Sequence, residues 1–236
     1  MFTKYGIKEL AVATLAALVL AGVPLAAGAF GAVPLWLGVP VALVPLAVWG
    51  WVLWFFRDPD RSTPSERGVF VAPADGCVTD ITPLGSDSLL GRSGVQVGIF
   101  MSVFDVHVNR SPADVVVQRV EHRPGTFLDV RRADAWEQNE SATIYLRYRL
   151  GGKEYPLVIR QVAGLVARRI VTDIIPGQTL FRGERIGMIK FGSRMELMVP
   201  RELATHVKVE VGQHVKAGLT VLVKSAEKID ETVTAD

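Results

Sequence analysis

Residues 10–56 contain no Asp, Glu, Lys or Arg, and this absence of charge constrains the fold more than any other feature. The stretch is about twice as long as the roughly 20 apolar residues that one bilayer-spanning helix needs. Two crossings fit, at about 10–30 and 35–56, joined by a turn near 31–34. Prolines inside the stretch are better tolerated in membrane helices than in soluble ones. The sequence therefore predicts an N-terminal transmembrane helical hairpin over 1–56.

A cleaved signal peptide is the alternative interpretation, since the small residues at 26–28 resemble a cleavage site. A second apolar segment follows at once, which favours the hairpin. Lys4 and Lys8 precede the hairpin, Arg57 and Arg61 follow it, and the turn carries no charge. The positive-inside rule then places both ends in the cytoplasm. We expect a protein of the cell (inner) membrane whose domain after the hairpin lies on the cytoplasmic side.

Charge and residue content exclude several classes of function. The 26 basic and 24 acidic residues nearly balance, and no basic run stands out, so no nucleic-acid partner is indicated. Cys77 is the sole cysteine, which excludes an intramolecular disulfide. The histidines are scattered, so we expect no metal. The sequence also lacks a phosphate-binding loop, a His-Glu-x-x-His motif and a Gly-x-Ser-x-Gly elbow.

After a polar linker at 57–64, the hydrophobic pattern changes to a period of two. Ile144, Leu146 and Tyr148 alternate with polar residues, which predicts a strand with one buried face. Similar runs, separated by Gly, Pro and Asp, recur through a β-rich catalytic domain at 65–236. Only 128–139 looks helical. Many short strands with regular turns are typical of an all-β sandwich or barrel.

Two segments, 71–76 and 209–218, resemble β-sandwiches of the lipoyl/biotinyl type. Neither contains the lysine-bearing turn that carries a lipoyl or biotinyl group in such domains. The predicted fold class is therefore an all-β, lipoyl/biotinyl-like β-sandwich or barrel behind an N-terminal transmembrane helical hairpin. This likeness concerns the fold and does not by itself indicate a function.

The pair Gly192-Ser193 is the main candidate for nucleophilic chemistry. A Gly-Ser pair is commonly a surface turn, and this chain has another at Gly85-Ser86. The residues on both sides of Gly192-Ser193 are apolar, however, and lack the Asn, Asp and Pro expected of a surface turn. This context favours a chemical role for Ser193.

Several further segments of the chain form a distinctive series. They are Pro-Ala-Asp-Gly at 73–76, Phe-Met-Ser-Val-Phe-Asp-Val-His-Val-Asn-Arg-Ser-Pro at 100–112, Pro-Gly-Thr-Phe at 124–127, Asn-Glu at 139–140, Gln-Val-Ala-Gly-Leu-Val-Ala-Arg-Arg-Ile at 161–170, and the segment 183–194 around Gly192-Ser193. Taken together and in this order, these segments resemble the phosphatidylserine decarboxylase family in its short, type A, pyruvoyl-dependent form.

The resemblance implies a proenzyme that cuts itself between Gly192 and Ser193 into a β chain, 1–192, and an α chain, 193–236. Ser193 Oγ attacks the Gly192 carbonyl, the resulting ester is eliminated to dehydroalanine, and hydrolysis with loss of ammonia gives an N-terminal pyruvoyl group. Through a Schiff base with this group, phosphatidylserine of the bilayer becomes phosphatidylethanolamine and CO2, a step of phospholipid biosynthesis. The two chains form a heterodimer, and assembly into a homo-oligomer is left open.

The resemblance also suggests roles for single residues. His107 is the candidate acid/base, and Asp75 would orient a base or serve the self-cleavage, with an ordinary Asp-Gly turn as the alternative. Longer family members carry a second histidine three residues after the first, where this chain has Arg110. Either His107 therefore performs both jobs, or another group activates Ser193. Arg110, Arg168 and Arg169 are candidates to bind the substrate phosphate, unless they are ordinary surface arginines.

Two other functions stay open on the sequence alone. One is a non-enzymatic, membrane-tethered, lipoyl-like β-sandwich that binds partners. The other is a membrane serine hydrolase that keeps Ser193 as its nucleophile. Both leave one intact chain, whereas the decarboxylase yields two.

Overall fold

The computed structural model describes residues 1–130, 135–165, 169–190 and 192–225. The chain divides into two compact units, Met1–Asp60 and Arg61–Asp236. The first unit is helical, and the second consists mainly of antiparallel strands.

The first unit is a hairpin of two apolar helices. A 3₁₀ turn at Lys4–Gly6 leads into α1 (Ile7–Ala29), and α2 follows at Leu35–Phe55. Gly31 in the connection has a φ of 74°, a left-handed conformation that favours glycine. Both helices are long and apolar enough to cross a membrane, and their bounds agree with the predicted spans to within one turn.

The two helices approach closely and leave most of their apolar side chains exposed. A Cβ on Gly38 would lie 2.8 Å from the Pro24 carbonyl oxygen, so this crossing needs a glycine. Trp49 Nε1 donates a hydrogen bond of 3.0 Å to Thr14 Oγ1. Trp36, like most of the large side chains, lies exposed on the outside. Helices that are apolar all round suit a hydrocarbon environment rather than water.

The second unit contains the strands and one short helix. They are β1 (Val69–Val71), β2 (Gly76–Leu84), β3 (Gly94–Met101), β4 (Val108–Arg110), β5 (Val115–Arg123), α3 (Ala135–Gln138), β6 (Ser141–Leu150), β7 (Lys153–Val162), β8 (Ile170–Thr172), β9 (Thr179–Leu180), β10 (Arg185–Ile189), β11 (Ser193–Pro200), β12 (His206–Val207), β13 (His214–Val215) and β14 (Val221–Lys224).

The main sheet is antiparallel and curls into a half-barrel, with the strand order β13-β2-β3-β11-β7-β6-β5-β9. Two smaller sheets have the orders β1-β14-β12 and β4-β10-β8. Strand β11 lies in the middle of the main sheet, where it pairs from Ser193↔Met101 to Pro200↔Gly94 with β3 and on its other side with β7. The first residue of β11 is therefore held by a neighbouring strand from the start.

All residues of β11 are buried, because both faces of the sheet are covered there. Met195, Leu197 and Val199 pack into the main hydrophobic core with side chains such as Ile99 of β3. Successive side chains of a strand point to opposite faces, so Ser193 shares the core face and Arg194 points to the other. Ser193 and Arg194 are therefore neighbours in sequence but lie on opposite faces of the sheet.

The predicted mostly β fold with N-terminal apolar helices is confirmed. Within the described part of the predicted helical segment at 128–139, which leaves out 131–134, the helix is Ala135–Gln138. Strands β4, β9 and β13 were not predicted. Each has only two or three residues, which is too short for a period-two pattern to register.

Candidate active site

Ser193 is fully buried at the first position of β11. Its Oγ donates a hydrogen bond of 3.5 Å to the sulfur of Met101, its direct partner on β3. A surface turn, the ordinary interpretation of a Gly-Ser pair, does not describe this position. The hydroxyl instead lies in an environment screened from water, as a nucleophile that must react with its own backbone requires.

Gly192 adopts a left-handed backbone conformation, with a φ of 57°. No atom lies within 4 Å of the place where a Cβ would sit, so a side chain would have room there. The conformation therefore explains the glycine, since other residues pay about 1–2 kcal/mol in this region.

A chain of buried amide groups leads to the sulfur beside Ser193. Asn109 Nδ2 lies 3.7 Å from Met101 Sδ, and Asn109 Oδ1 accepts a hydrogen bond of 2.8 Å from Gln161 Nε2. Gln161 Oε1 in turn accepts a bond of 2.8 Å from Thr172 Oγ1. Asn109 and Gln161 are fully buried. The chain thus fixes the polar surroundings of Ser193 without burying a charge.

The sequence analysis did not select Asn109 or Gln161 as site residues. Both lie inside segments that carry the family resemblance, and Gln161 interrupts an apolar run of β7. A polar residue in a strand buried on both faces needs a hydrogen-bond partner, which is the signal that could have identified it.

His107 is fully buried directly before β4. Its Nδ1 lies 2.9 Å from the Asp105 carbonyl oxygen, which can only accept a hydrogen bond. Nδ1 therefore carries a proton, which leaves Nε2 as the second nitrogen of the ring for proton transfer. Asp105 is itself held by Ser102, whose N and Oγ donate to Asp105 Oδ2 at 2.8 and 2.7 Å. The hydrogen bond to the Asp105 carbonyl fixes the orientation of the His107 ring, and its role as an acid/base stays a prediction.

Asp75 forms its hydrogen bonds with groups other than His107 and Ser193. Its carboxylate receives two hydrogen bonds from Arg61, at 2.5 and 2.8 Å, and a third of 2.8 Å from the Ala217 amide. Within the part of the chain that the structure describes, its hydrogen bonds do not reach His107 or Ser193. The proposed role of Asp75 in orienting a base stays a prediction.

The three candidate arginines lie in different surroundings. Arg110 is buried, and its Nη1 donates to the Gly183 carbonyl at 3.0 Å. Arg169 is exposed, and its carbonyl accepts a hydrogen bond from the Lys190 amide. Arg168 lies outside the described residues. Exposure favours Arg169 over Arg110 as a contact for a phosphate arriving from outside.

On the opposite face of β11, Arg194 forms a buried ion pair. Its Nη1 and Nη2 donate to Asp80 at 2.6 and 2.9 Å, and its Nε donates to Glu196 at 2.9 Å. Its guanidinium lies 4.0 Å from the ring centroid of Trp136. Gly98 on β3 makes this possible, since a Cβ there would clash with the Arg194 guanidinium. Arg194 is thus clamped directly after the candidate nucleophile.

The pair also changes the acidity of Asp80. Burial alone would raise the pKa of the Asp80 carboxyl, but the hydrogen bonds and charge of Arg194 outweigh burial and hold this pKa below its ordinary value. Asp80 is therefore ionised at neutral pH and stays paired with Arg194.

The residues around Ser193 fit a prosthetic group made from the chain itself. Ser193 follows a glycine in a left-handed conformation and pairs with Met101 of β3, and β7 joins the other side of β11 from Arg194 onward. A group formed at position 193 would keep these strand contacts. Within the described residues, no group of three or more His, Cys, Asp or Glu side chains could hold a metal ion.

Comparison with known proteins adds an independent finding. The sequence model for the phosphatidylserine decarboxylase family matches residues 49–223. A phosphatidylserine decarboxylase proenzyme from Rhodopirellula baltica is 41% identical over 224 residues, covering 94% of this chain and 88% of the relative. The proenzyme from Salinibacter ruber is 45% identical over 193 residues, covering 80% and 81% of the two chains. The matched region includes Ser193 and the buried groups around it.

Proposed function

The chain belongs to the phosphatidylserine decarboxylase family, and we propose that Gly192-Ser193 is its self-cleavage site and that Ser193 becomes its pyruvoyl group. Its activity is the pyruvoyl-dependent decarboxylation of phosphatidylserine, and it is made as a proenzyme. The pyruvoyl carbonyl supplies the electron sink for loss of CO2, as imine-forming cofactors do in other decarboxylases. All other tasks fall to side chains and backbone groups of this chain.

The observation that carries the proposal is the fully buried Ser193 behind a left-handed glycine. In the first step, Ser193 Oγ bonds to the Gly192 carbonyl carbon, the C–N bond breaks, and the freed amine takes up the proton of the hydroxyl. In the second, the Cα proton of residue 193 is removed and the Cβ–O bond breaks, which releases the Gly192 carboxylate. Water then replaces the nitrogen of the resulting enamine, and ammonia leaves.

His107 is proposed to move the protons in these steps. Its buried ring is held through Nδ1 by the Asp105 carbonyl, which leaves Nε2 as the nitrogen that would accept and return the protons. Arg110 occupies the place of the second histidine of longer relatives and cannot act as a base, because a guanidinium stays protonated. We therefore assign both self-cleavage and the protonation that follows decarboxylation to His107. Arg169, together with Arg168, is proposed to bind the lipid phosphate.

Intact-mass measurement of purified protein tests the cleavage site. Wild type is expected to give a β chain ending at Gly192 and an α chain beginning at residue 193, lighter by one ammonia than a serine-started peptide. Ser193→Ala should stay whole and inactive. Ser86→Ala, at the other Gly-Ser pair, is the matched control and should be cut normally. Active protein with a single intact chain would refute the proposal and favour the binding-module or hydrolase alternatives.

The hairpin is proposed to span the cell membrane, with the catalytic domain on the cytoplasmic side. The length and apolarity of α1 and α2 support an anchor, and the basic residues on both flanks support the side. Reporter fusions at residue 236 should be active in the cytoplasm. A fusion that is active only outside the cytoplasm would overturn the orientation.

A lipoyl/biotinyl-like sandwich is proposed as the finer description of the fold. The two segments that resemble such domains are hydrogen-bonded to each other. Gly76 pairs with Val215, and the Gly218 amide donates to the Ala72 carbonyl at 2.9 Å. This pairing supports a common hairpin-like unit at one edge of the main sheet.

A further inference from the structure

Gly164 lies against the carbonyl group that self-cleavage would attack. A Cβ at Gly164 would sit far inside the 3.0 Å that real Cβ atoms keep, with the Gly192 carbonyl oxygen as its nearest neighbour. The second neighbour is the Gly192 carbonyl carbon at 3.1 Å. The φ of Gly164 is not left-handed, so lack of space rather than backbone conformation explains the glycine. The Cα of Gly164 thus lies in direct contact with the carbonyl group of Gly192. We call this contact surface, formed by Gly164 and the adjoining backbone of Ala163, the wall.

The backbone beside Gly164 is fixed by a fully buried asparagine. Asn139 Nδ2 donates to the carbonyl oxygens of Ala163 and Leu128, each at 2.8 Å, and Asn139 Oδ1 accepts from the Leu128 amide at 2.8 Å. The Ala163 amide donates to the Glu140 carbonyl at 2.9 Å. The backbone next to Gly164 is therefore held by hydrogen bonds to Asn139 and Glu140, and Asn139 is itself bonded to Leu128.

We propose that Gly164 is a positioning residue for self-cleavage, held in place by Asn139. The inference rests on the proposed cleavage between Gly192 and Ser193. In the first step the Gly192 carbonyl oxygen gains negative charge while Ser193 Oγ bonds to the carbon. Contact with Gly164 fixes the direction in which this oxygen points, and hence the face of the carbonyl that Ser193 attacks. A methyl group at 164 would displace the oxygen by about 1 Å, which can slow a reaction about 100-fold.

The test is a time course of chain cleavage in full-length protein. Gly164→Ala is expected to be cut about 100-fold more slowly than wild type. Gly94→Ala is the matched control, since its Cβ would lie 2.5 Å from the Val199 carbonyl oxygen at the other end of β11, again without a left-handed φ. It should lose stability but cut at the wild-type rate. Cleavage of Gly164→Ala within a few-fold of wild type, or equal slowing of both variants, would overturn the inference.

Hydroxylamine supplies a readout that general destabilisation does not change. It cleaves the ester formed in the first step, so protein stalled after that step is split on its addition. Hydroxylamine should not accelerate the splitting of Gly164→Ala, because ester formation is itself the slowed step. Rapid splitting would show that the first step is intact and that Gly164 does not position it.

Folding is checked in the Ser193→Ala background, where melting curves compare uncut chains with and without Gly164→Ala. If the Gly164 variant does not fold, Asn139→Ala loosens the same wall and should slow cleavage by about tenfold or more. Wild-type cleavage rates in folded Asn139→Ala would then refute the inference. If wild type itself is cut elsewhere than 192–193, the proposed cleavage site fails first, and the mass spectrum distinguishes this outcome.

Discussion

At the scale of single residues, the ion pair of Arg194 and Asp80 stabilises the strand that begins with Ser193. The Arg194 side chain is 2% exposed and that of Asp80 is 20% exposed, so solvent screens the pair only weakly. Breaking a buried pair by removing one partner is costly, because the remaining charge is left in a medium of low polarity.

We expect Asp80→Ala to lower the free energy of unfolding by about 1–3 kcal/mol, because the guanidinium loses two hydrogen-bond acceptors while Glu196 still pairs with Arg194. Asp87→Ala, at an exposed position of the loop after β2, should change it by less than about 0.5 kcal/mol. Chemical unfolding of both variants in detergent measures the difference. Equal stability of the two variants would mean that Glu196 alone compensates the Arg194 charge.

The same pair makes stability depend on acidity. The folded state holds the pKa of Asp80 below its ordinary value, so its contribution is fully present above about pH 4 and is lost as the pH falls through the folded pKa. Unfolding curves from pH 6 down to pH 3 should therefore show a fall that is smaller in Asp80→Asn. An identical fall in both proteins would assign acid sensitivity to other carboxylates.

His107→Ala decides whether one histidine serves both reactions. We expect this variant to remain uncut, because no other proton acceptor has been assigned to Ser193. If His107 acts only in decarboxylation, the variant should be cut but turn over about 10²–10⁴-fold more slowly. His206→Ala, at an exposed position in β12, is the control and should be processed normally. Gel analysis and turnover per α chain separate these outcomes.

The sequence identified Ser193 and His107 through motifs, but it missed the partners that surround them. Asn109 and Gln161 meet across different sheets, and Asp80 reaches Arg194 over Gly98 of an intervening strand. Such contacts depend on register and strand order, which hydrophobic periodicity does not determine. Local motifs therefore select candidate reacting groups, whereas the side chains packed around those candidates become visible only in the structure.

At the scale of elements, the sequence predicted the two apolar helices and the longest strands, but it did not predict the position of β11 or several of the shortest strands. The hairpin followed from the absence of charge, and long strands such as β6 followed from alternation. The central position of β11 could not be predicted, because its burial on both faces removes the alternation that marks a sheet face. Strands of two residues leave no periodic signal.

Removal of the hairpin tests its role as an anchor. A protein that starts at Arg57 should be far more soluble, because α1 and α2 expose apolar side chains over most of their surface. It should also decarboxylate lipid in bilayers less well than lipid dispersed in detergent, since nothing then holds it near its substrate. Flotation with vesicles and activity in both lipid forms measure the effect. Equal binding of both proteins to vesicles would contradict an anchoring role.

At the scale of the whole molecule, the proposed cut divides the chain without dividing the sheets. The α chain would supply β11 to the middle of the main sheet and β14 to the sheet with β1, both paired with strands of the β chain. Burial on both faces of β11 adds to these hydrogen bonds. A cut at the proposed site would therefore leave the two chains joined by their strand pairing.

We expect the cut chains to migrate together on a native gel and to separate only under denaturing conditions. The α chain should leave the complex at the same denaturant concentration at which the main sheet unfolds, because its strand is part of that sheet. Parallel gels and circular dichroism at increasing urea test this. Release of the α chain from a sheet that remains folded would contradict the described pairing.

The central position of β11 in the sheet also affects how well the cut protein can refold after it has been denatured. While the chain is whole, β11 finds its neighbours at the high effective concentration of a tethered segment. Once cut and unfolded, it must return as a separate molecule, so recovery becomes bimolecular and falls with dilution. The mature enzyme thus keeps an arrangement that its own two pieces, mixed at low concentration, would rebuild poorly.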